Sequence, residues 1–423
     1  MAKRLCSFLF SLVLLAGCAL GPEGGGGSVS TNLQPQPIEA LGIVDLFPAQ
    51  RTEADDNAFS QFAVELLRRS RTEGENTLLS PLSVALALGM TSAGASGDTA
   101  REFADLFGMD LGRLLTYCLA LTEDYSDLGG STESTLVNSL WCDPDLTLEN
   151  EFIITCREYF DAQLYHLDLQ DPGAAKAVND WVKEATQGLI PSVVDKFDDD
   201  AVLALVNAVY LKNKFERPFE TPHSEWTMDF TAQDGTVTQP RGMSNGEWYE
   251  TYLSHEGGQG VVLPYDDGRL GLLLMLPDQG TTLTDYLATW TGETVKNLLD
   301  GQREAQVALT VPKFKTEWAH SLKDTLSAMG LAGAFDGDTA DFTRMGTAVQ
   351  GPLYIGDVIH KTAFELNEKG TEAAAVTVAT MNAEAAPAPQ DIIRLRFDRP
   401  FVYGIVDLET GTPLFLGTME RCE

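Results

Sequence analysis

Between a strand expected to end near Asn367 and another expected to begin near Ile392 runs the segment Glu368 to Pro387. A structureless loop of this length is uncommon inside a compact domain and is usually either functional or disordered. Composition separates the two cases. Disordered linkers are rich in charge, Pro and Gly, yet from Gly370 to Ala386 there is no proline and only two charged residues, Glu372 and Glu384. At the two-residue period of a strand, Thr371, Ala373, Ala375, Thr377, Ala379 and Met381 share one uncharged, mostly small face. Glu372 lies on the other face with Val376, Val378 and Thr380. Pro387 and Pro389 end the pattern, because proline cannot donate to an internal ladder. The fold must therefore keep, as a loop, a segment with the composition of a buried strand.

The rest of the chain has helices early and strands late, which indicates an α+β domain rather than alternating βαβ units. Phe59, Phe62, Ala63, Leu66 and Leu67 recur at helical spacing after an Asp-Asp-Asn start. A second helix follows Ser80-Pro81 toward Gly94, and a third spans Ala174 to Thr186. Val202 to Leu211 is a continuous apolar run, as in a central strand buried on both faces. Asn207 interrupts it, and a buried amide must find partners or cost about 1–3 kcal/mol. Further strands are expected at Leu270–Leu276, Val307–Lys315, Leu353–Ile359, Thr362–Asn367, Ile393–Phe397, Phe401–Val406 and Pro413–Thr418.

The first twenty residues read separately. Lys3 and Arg4 precede an apolar stretch from Leu5 to Leu15, then Leu15-Ala16-Gly17-Cys18, the pattern of a cleavable export signal over residues 1–17. The stretch is shorter than the roughly 20 residues a membrane-spanning helix requires. Leu-Ala-Gly-Cys resembles a bacterial lipobox, which implies lipidation at Cys18 and an extracytoplasmic chain anchored to a bacterial membrane through the lipid alone. Residues 18–50, with Gly24-Gly25-Gly26-Gly27-Ser28, have the composition of a tether, leaving 51–423 as the folded domain.

Sixty-two acidic residues face 29 basic ones, a net charge of −33. Loss of Lys3 and Arg4 leaves 27 basic residues against 62, or −35. Such a field repels phosphate backbones, so nucleic acid is excluded as a partner. Cys118, Cys142, Cys156 and Cys422 remain after the signal and the lipid site are set aside. Export permits disulfides among them, and buried free thiols fit equally well.

Enzyme chemistry finds little support. Gly242-Met243-Ser244-Asn245-Gly246 has the form of a nucleophile elbow, but polar Thr238-Gln239-Pro240-Arg241 precedes it where an apolar strand is required. No His-Glu-x-x-His, phosphate loop or dinucleotide fingerprint occurs. Asp198-Asp199-Asp200 and Asp336-Gly337-Asp338 lack a calcium-loop register and read as solvated turns. No cofactor or metal is expected, and no residue is assigned as catalytic.

Asn367-Glu368-Lys369-Gly370-Thr371-Glu372-Ala373-Ala374-Ala375 resembles the reactive-loop hinge of an inhibitory serpin. Leu395-Arg396-Phe397-Asp398-Arg399-Pro400-Phe401-Val402-Tyr403-Gly404-Ile405 is similar to the C-terminal signature of that family, and Leu205-Val206-Asn207-Ala208-Val209-Tyr210 to a central strand of its main sheet. The likeness covers about Asp56 to Arg421.

The resemblance implies a serpin fold, with helices around three β-sheets and an exposed reactive loop. It implies a monomer whose partner is a target serine protease, trapped as an acyl-enzyme while the cleaved loop inserts into the main sheet. Glu368, Gly370, Thr371, Glu372, Ala373, Ala374, Ala375 and Thr377 match the hinge, and Ser80, Ser83, Asn207 and His360 match a polar shutter beneath the sheet. Lys313 matches the lysine that pairs with the hinge glutamate, and Phe215 stands where the family usually has tryptophan at the breach. Family spacing puts the scissile bond near Glu384, among Met381, Ala383 and Ala385, small residues suited to elastase-like or subtilisin-like proteases. Heparin-type activation is not expected, since Arg113 is the only basic residue from Gly112 to Leu128. A non-inhibitory relative that binds a ligand or partner, or a surface module cleaved without trapping, would leave the alanine-rich hinge without a purpose.

Overall fold

The structure is a computed structural model that describes residues 35–39, 47–186, 188, 190, 192–219, 226–371 and 392–423, together with the backbone pairing of residues 11–18. In chain order the first elements are β1 (Ser11–Cys18), β2 (Gln36–Pro37), α1 (Glu53–Ser70), β3 (Thr77–Leu79) and α2 (Pro81–Ser92). The start of α1 is fixed by a capping box in which Thr52 and Asp55 satisfy each other's backbone N–H groups. Phe59, Phe62, Ala63, Leu66 and Leu67 are all buried, as their spacing predicts. Ser80 caps α2 and Pro81 occupies its first turn. Every residue of α2 is buried: most are apolar, and the hydroxyls of Ser83, Thr91 and Ser92 are hydrogen-bonded.

Next come α3 (Gly97–Phe107), α4 (Leu111–Ser126), β4 (Glu133–Cys142), α5 (Asn150–Phe160), β5 (Gln163–His166), α6 (Ala174–Ala185) and β6 (Ala201–Lys214). β6 runs beyond the apolar stretch expected at Val202–Leu211, and among its first eleven residues only Asn207 and Tyr210 carry polar side-chain groups. The remaining strands used below are β7 (Gly242–Ser244), β8 (Trp248–His255), β9 (Gly258–Pro264), β10 (Leu270–Pro277), β11 (Arg303–Pro312), β12 (Phe314–Ser321), β13 (Leu353–Asn367), β14 (Gly370–Thr371), β15 (Ile393–Arg396), β16 (Phe401–Asp407) and β17 (Pro413–Met419).

Across the main sheet the order is β12, β13, a shared position, β6, β4, β5, β2. The shared position between β13 and β6 holds β14 at one end and β1 along the rest. A second sheet runs β7, β11, β8, β9, β10, β16, β17, β3, with β15 pairing parallel to β11. Buried residues of α1 and α2 join the inner faces of both sheets in one continuous core. Among the described residues no helix is long and apolar enough to cross a membrane.

Several boundaries differ from the sequence expectation. Leu353–Asn367 is one strand rather than two, because His360 and Lys361, which look like a polar break, keep their ladder with β12. Val307–Lys315 divides at Lys313 into β11 of the second sheet and β12 of the main sheet. The packed body also begins earlier than residue 51. Gln36 and Pro37 pair with β5, Ile38 is buried in the core, and Gln50 N–H donates to the Thr116 carbonyl. The part of 18–50 that could serve as a tether therefore ends before Gln36. Cys118, Cys142, Cys156 and Cys422 are free and buried, so free thiols are what the fold contains. Burial pushes Cys118, Cys142 and Cys422 up to about 12.

Candidate functional site

The site is a strand position. β6 and β13 are parallel neighbours that do not pair with each other; both pair antiparallel to whatever lies between them. At the entrance, Gly370 stands opposite Lys214 and Asn367, and Thr371 opposite Asn213 and Leu366. The hinge has thus already taken the first two residues of a new strand. The exposed loop expected from Glu368 to Pro387 is corrected at its start: Gly370 and Thr371 are paired on both sides, and Thr371 is fully buried.

Local chemistry fixes the entrance. Lys313 pairs with Glu368. Phe219 N–H donates to the Glu368 carbonyl at 2.8 Å and Phe215 N–H to the Lys369 carbonyl at 2.9 Å. Gly370 has φ of 138°, and a Cβ there would collide with the Asn213 carbonyl oxygen, so only glycine fits. The Thr371 hydroxyl lies 2.6 Å from the Tyr265 hydroxyl. Tyr265 stacks on Phe215 at 5.4 Å, and Phe219 packs edge-on against Phe215 at 5.8 Å. Phe215 thus sits in a cluster of three aromatic rings, one stacked on it and one edge-on. Tyr265 and Phe219 went unpredicted, because nothing in their local sequence announces contact with a residue more than 100 positions away.

Ser80, Ser83, Asn207 and His360 are brought together by hydrogen bonds. Ser80 N–H donates to His360 Nε2 at 3.0 Å, and the Ser80 hydroxyl donates to the Leu414 carbonyl at 3.1 Å. Ser83 Oγ donates to Asn207 Oδ1 at 2.5 Å, and Asn207 Nδ2 donates to Asn138 Oδ1 at 2.7 Å. Asn138 Nδ2 in turn donates to the Phe160 carbonyl at 2.7 Å. Asn138 was missed, although it carries the same signal as Asn207: an amide in the run Leu136-Val137-Asn138-Ser139-Leu140. Burial holds the His360 imidazole down at about 3, so it is neutral, and with Nε2 accepting from Ser80 its proton is on Nδ1.

β1 follows the same ladder. Ser11 stands opposite Ala208 and Lys361, and Leu12 opposite Asn207 and His360, so this strand crosses directly over the shutter. Continuing the register of Thr371 five residues along β6 and β13 reaches those same two partners of Ser11. The position between β6 and β13 is therefore one track, taken at its head by Gly370 and Thr371 and further along by β1. Glu372, Ala373, Ala374, Ala375, Thr377, Met381, Ala383, Glu384 and Ala385 lie outside the described residues.

Elsewhere the competing motifs resolve into structure. Ser244 ends β7, and no helix follows it; the buried Asn245 instead accepts from Leu309 N–H at 2.9 Å and donates to Glu250 at 2.7 Å. Arg113, the lone cation of α4, is paired with Asp55.

A main sheet parted between two central strands, with a hinge turned into the gap, defines a class of fold in which a loop can become a strand. The family described as Serpin (serine protease inhibitor) matches residues 57–422, and the chain belongs to the serpin family, whose members are generally protease inhibitors. A serpin-like protein of Thermococcus kodakarensis is 32% identical over 368 residues, covering 86% of this chain and 84% of that protein. Neuroserpin of Homo sapiens is 32% identical over 388 residues, covering 87% and 92%. Among solved structures, the thermophilic serpin tengpin in its native state gives a TM-score of 0.82 at 28% identity, covering 92% of this chain and all of that one. Its latent state gives 0.77.

Proposed function

We propose that this chain is an exported, lipid-anchored inhibitor that traps serine proteases by inserting its cleaved loop between β6 and β13. The observation that carries the reading is the hinge itself. Gly370 and Thr371 already occupy the head of the strand position, and the next six residues on Thr371's face are Ala373, Ala375, Thr377, Ala379, Met381 and Ala383, all uncharged. A target serine hydroxyl attacks the loop carbonyl, releases a new amino terminus and leaves an ester. The freed loop then adds a strand with a ladder on each side. At about 1 kcal/mol net per hydrogen bond, a dozen inserted residues supply a driving force on the order of 10 kcal/mol.

Small residues around Glu384 favour elastase-like and subtilisin-like proteases over trypsin-like ones, which require Lys or Arg. Removal of residues 1–17 at Cys18 would take β1 away and clear the track. The chain beginning at Cys18 is incubated with elastase, subtilisin or trypsin and run on denaturing gels. An SDS-resistant band at the summed mass is expected with the first two. Thr371→Arg, which drives a charge into a fully buried site, should convert at least nine-tenths of that band into cleaved chain. Undiminished complex formation by Thr371→Arg would sink the insertion model.

A further inference from the structure

The two ends of the folded body that matter for an anchored trap lie at opposite poles of the main sheet. Gly370 enters the track opposite Lys214. At the other pole Gln36 stands opposite His166, His166 opposite Cys142, and Cys142 opposite Leu203. Leu203 and Asn213 are ten residues apart on β6, about 33 Å at the usual rise. The N-terminal root is firmly held there: Ile38 is buried, its N–H donates to the Leu164 carbonyl at 2.9 Å, and Arg157 donates to its carbonyl.

Carried along β6 in the register of Thr371, loop residue 381 would come level with Leu203. A scissile bond near Glu384 would then arrive at or past the row of Gln36. Four strand spacings separate the track from β2, about 19 Å. A protease domain of some 220 residues is about 45 Å across. Its footprint, centred on the end of the track, covers the point where the N-terminal segment leaves the body.

We propose that residues 19–35 are a spacer matched to the trapped protease: the anchored inhibitor offers its loop on the pole away from the membrane and delivers its catch to the membrane-facing pole. This rests on the trapping reading above. Fully extended, the stretch from Cys18 to Gln36 reaches at most about 60 Å, which accommodates one protease and little more. Deleting Pro22–Asn32 leaves six residues and a reach of about 25 Å, shorter than the protease.

The test uses the chain from Cys18, either free or coupled through the Cys18 thiol to maleimide lipid in phosphatidylcholine vesicles; its four other cysteines are buried. Elastase and subtilisin serve as targets, and both the cleavage rate and the fraction trapped are measured for full-length and shortened spacers. The inference predicts equal cleavage rates throughout, equal trapping by the two free chains, and at least a fivefold lower trapped fraction for the shortened chain on vesicles alone. Equal trapping by the two anchored chains overturns it. Trapping lost in the shortened free chain overturns it as well, by making the deletion a folding defect. If the full-length free chain traps neither protease, the inhibitor reading fails, and this inference with it.

Discussion

His360 and Asn207 show how much the site depends on single buried polar groups. The unfolded chain protonates His360 near 6.5, whereas the folded chain holds it neutral down to about 3. Below 6.5 the unfolded state binds the extra proton, so this group's penalty is absent above that pH and grows as pH falls, by up to about 1.4 kcal/mol per unit. Urea unfolding at pH 7.5 and 5.5 should therefore show a larger loss for the native chain than for His360→Gln; equal losses would contradict the assignment. Asn207→Ala strands both Ser83 and Asn138, each buried or nearly so. A loss of about 1–3 kcal/mol is expected in the same unfolding assay. The need for partners at Asn207 was legible from one amide in an apolar run. Asn138 could have been found by the same rule. Tyr265 could not, because its role comes only from the turn that places it under Thr371.

At the scale of elements, the sequence pattern located α1, α2, β6, β10 and β16 closely, since each buries a face or a whole run in the core. It failed where tertiary partners override local polarity. β13 continues through His360 because the N–H of Ser80, 280 positions away, donates to that imidazole. Gln36-Pro37 looks like linker, yet it forms a short sheet edge, a place that tolerates proline. The pairing of β1 was also outside what composition could say. It leads to an expectation about residues 1–17: a chain that keeps them holds β1 on the track proposed above for loop insertion. In the gel assay with elastase, this longer chain should be cleaved without trapping, while the chain from Cys18 traps. Equal complex formation by the two would show that β1 does not guard the track.

At the scale of the whole molecule the distinctive feature is one position of the main sheet, between β6 and β13, held by β14 at its head and β1 along the rest. Two parallel strands, β6 and β13, are joined only by what lies between them, and the loop whose composition first constrained the fold is chemically suited to that place. The Ser83–Asn207 hydrogen bond, the Phe215–Tyr265 stack and the Lys313–Glu368 pair are contacts of the strands and hinge around the position that Thr371 enters. Family and fold were legible from the hinge and the C-terminal signature. The distance between the hinge and Gln36 was not, since it depends on strand order across the sheet. The direct measurement is hydrogen exchange of the chain from Cys18 before and after cleavage of its loop. The account predicts that amides of residues 372–382 exchange freely in the intact chain and become protected together with those of β6 once the loop is cut. Free exchange of 372–382 in the fully cleaved chain would contradict insertion.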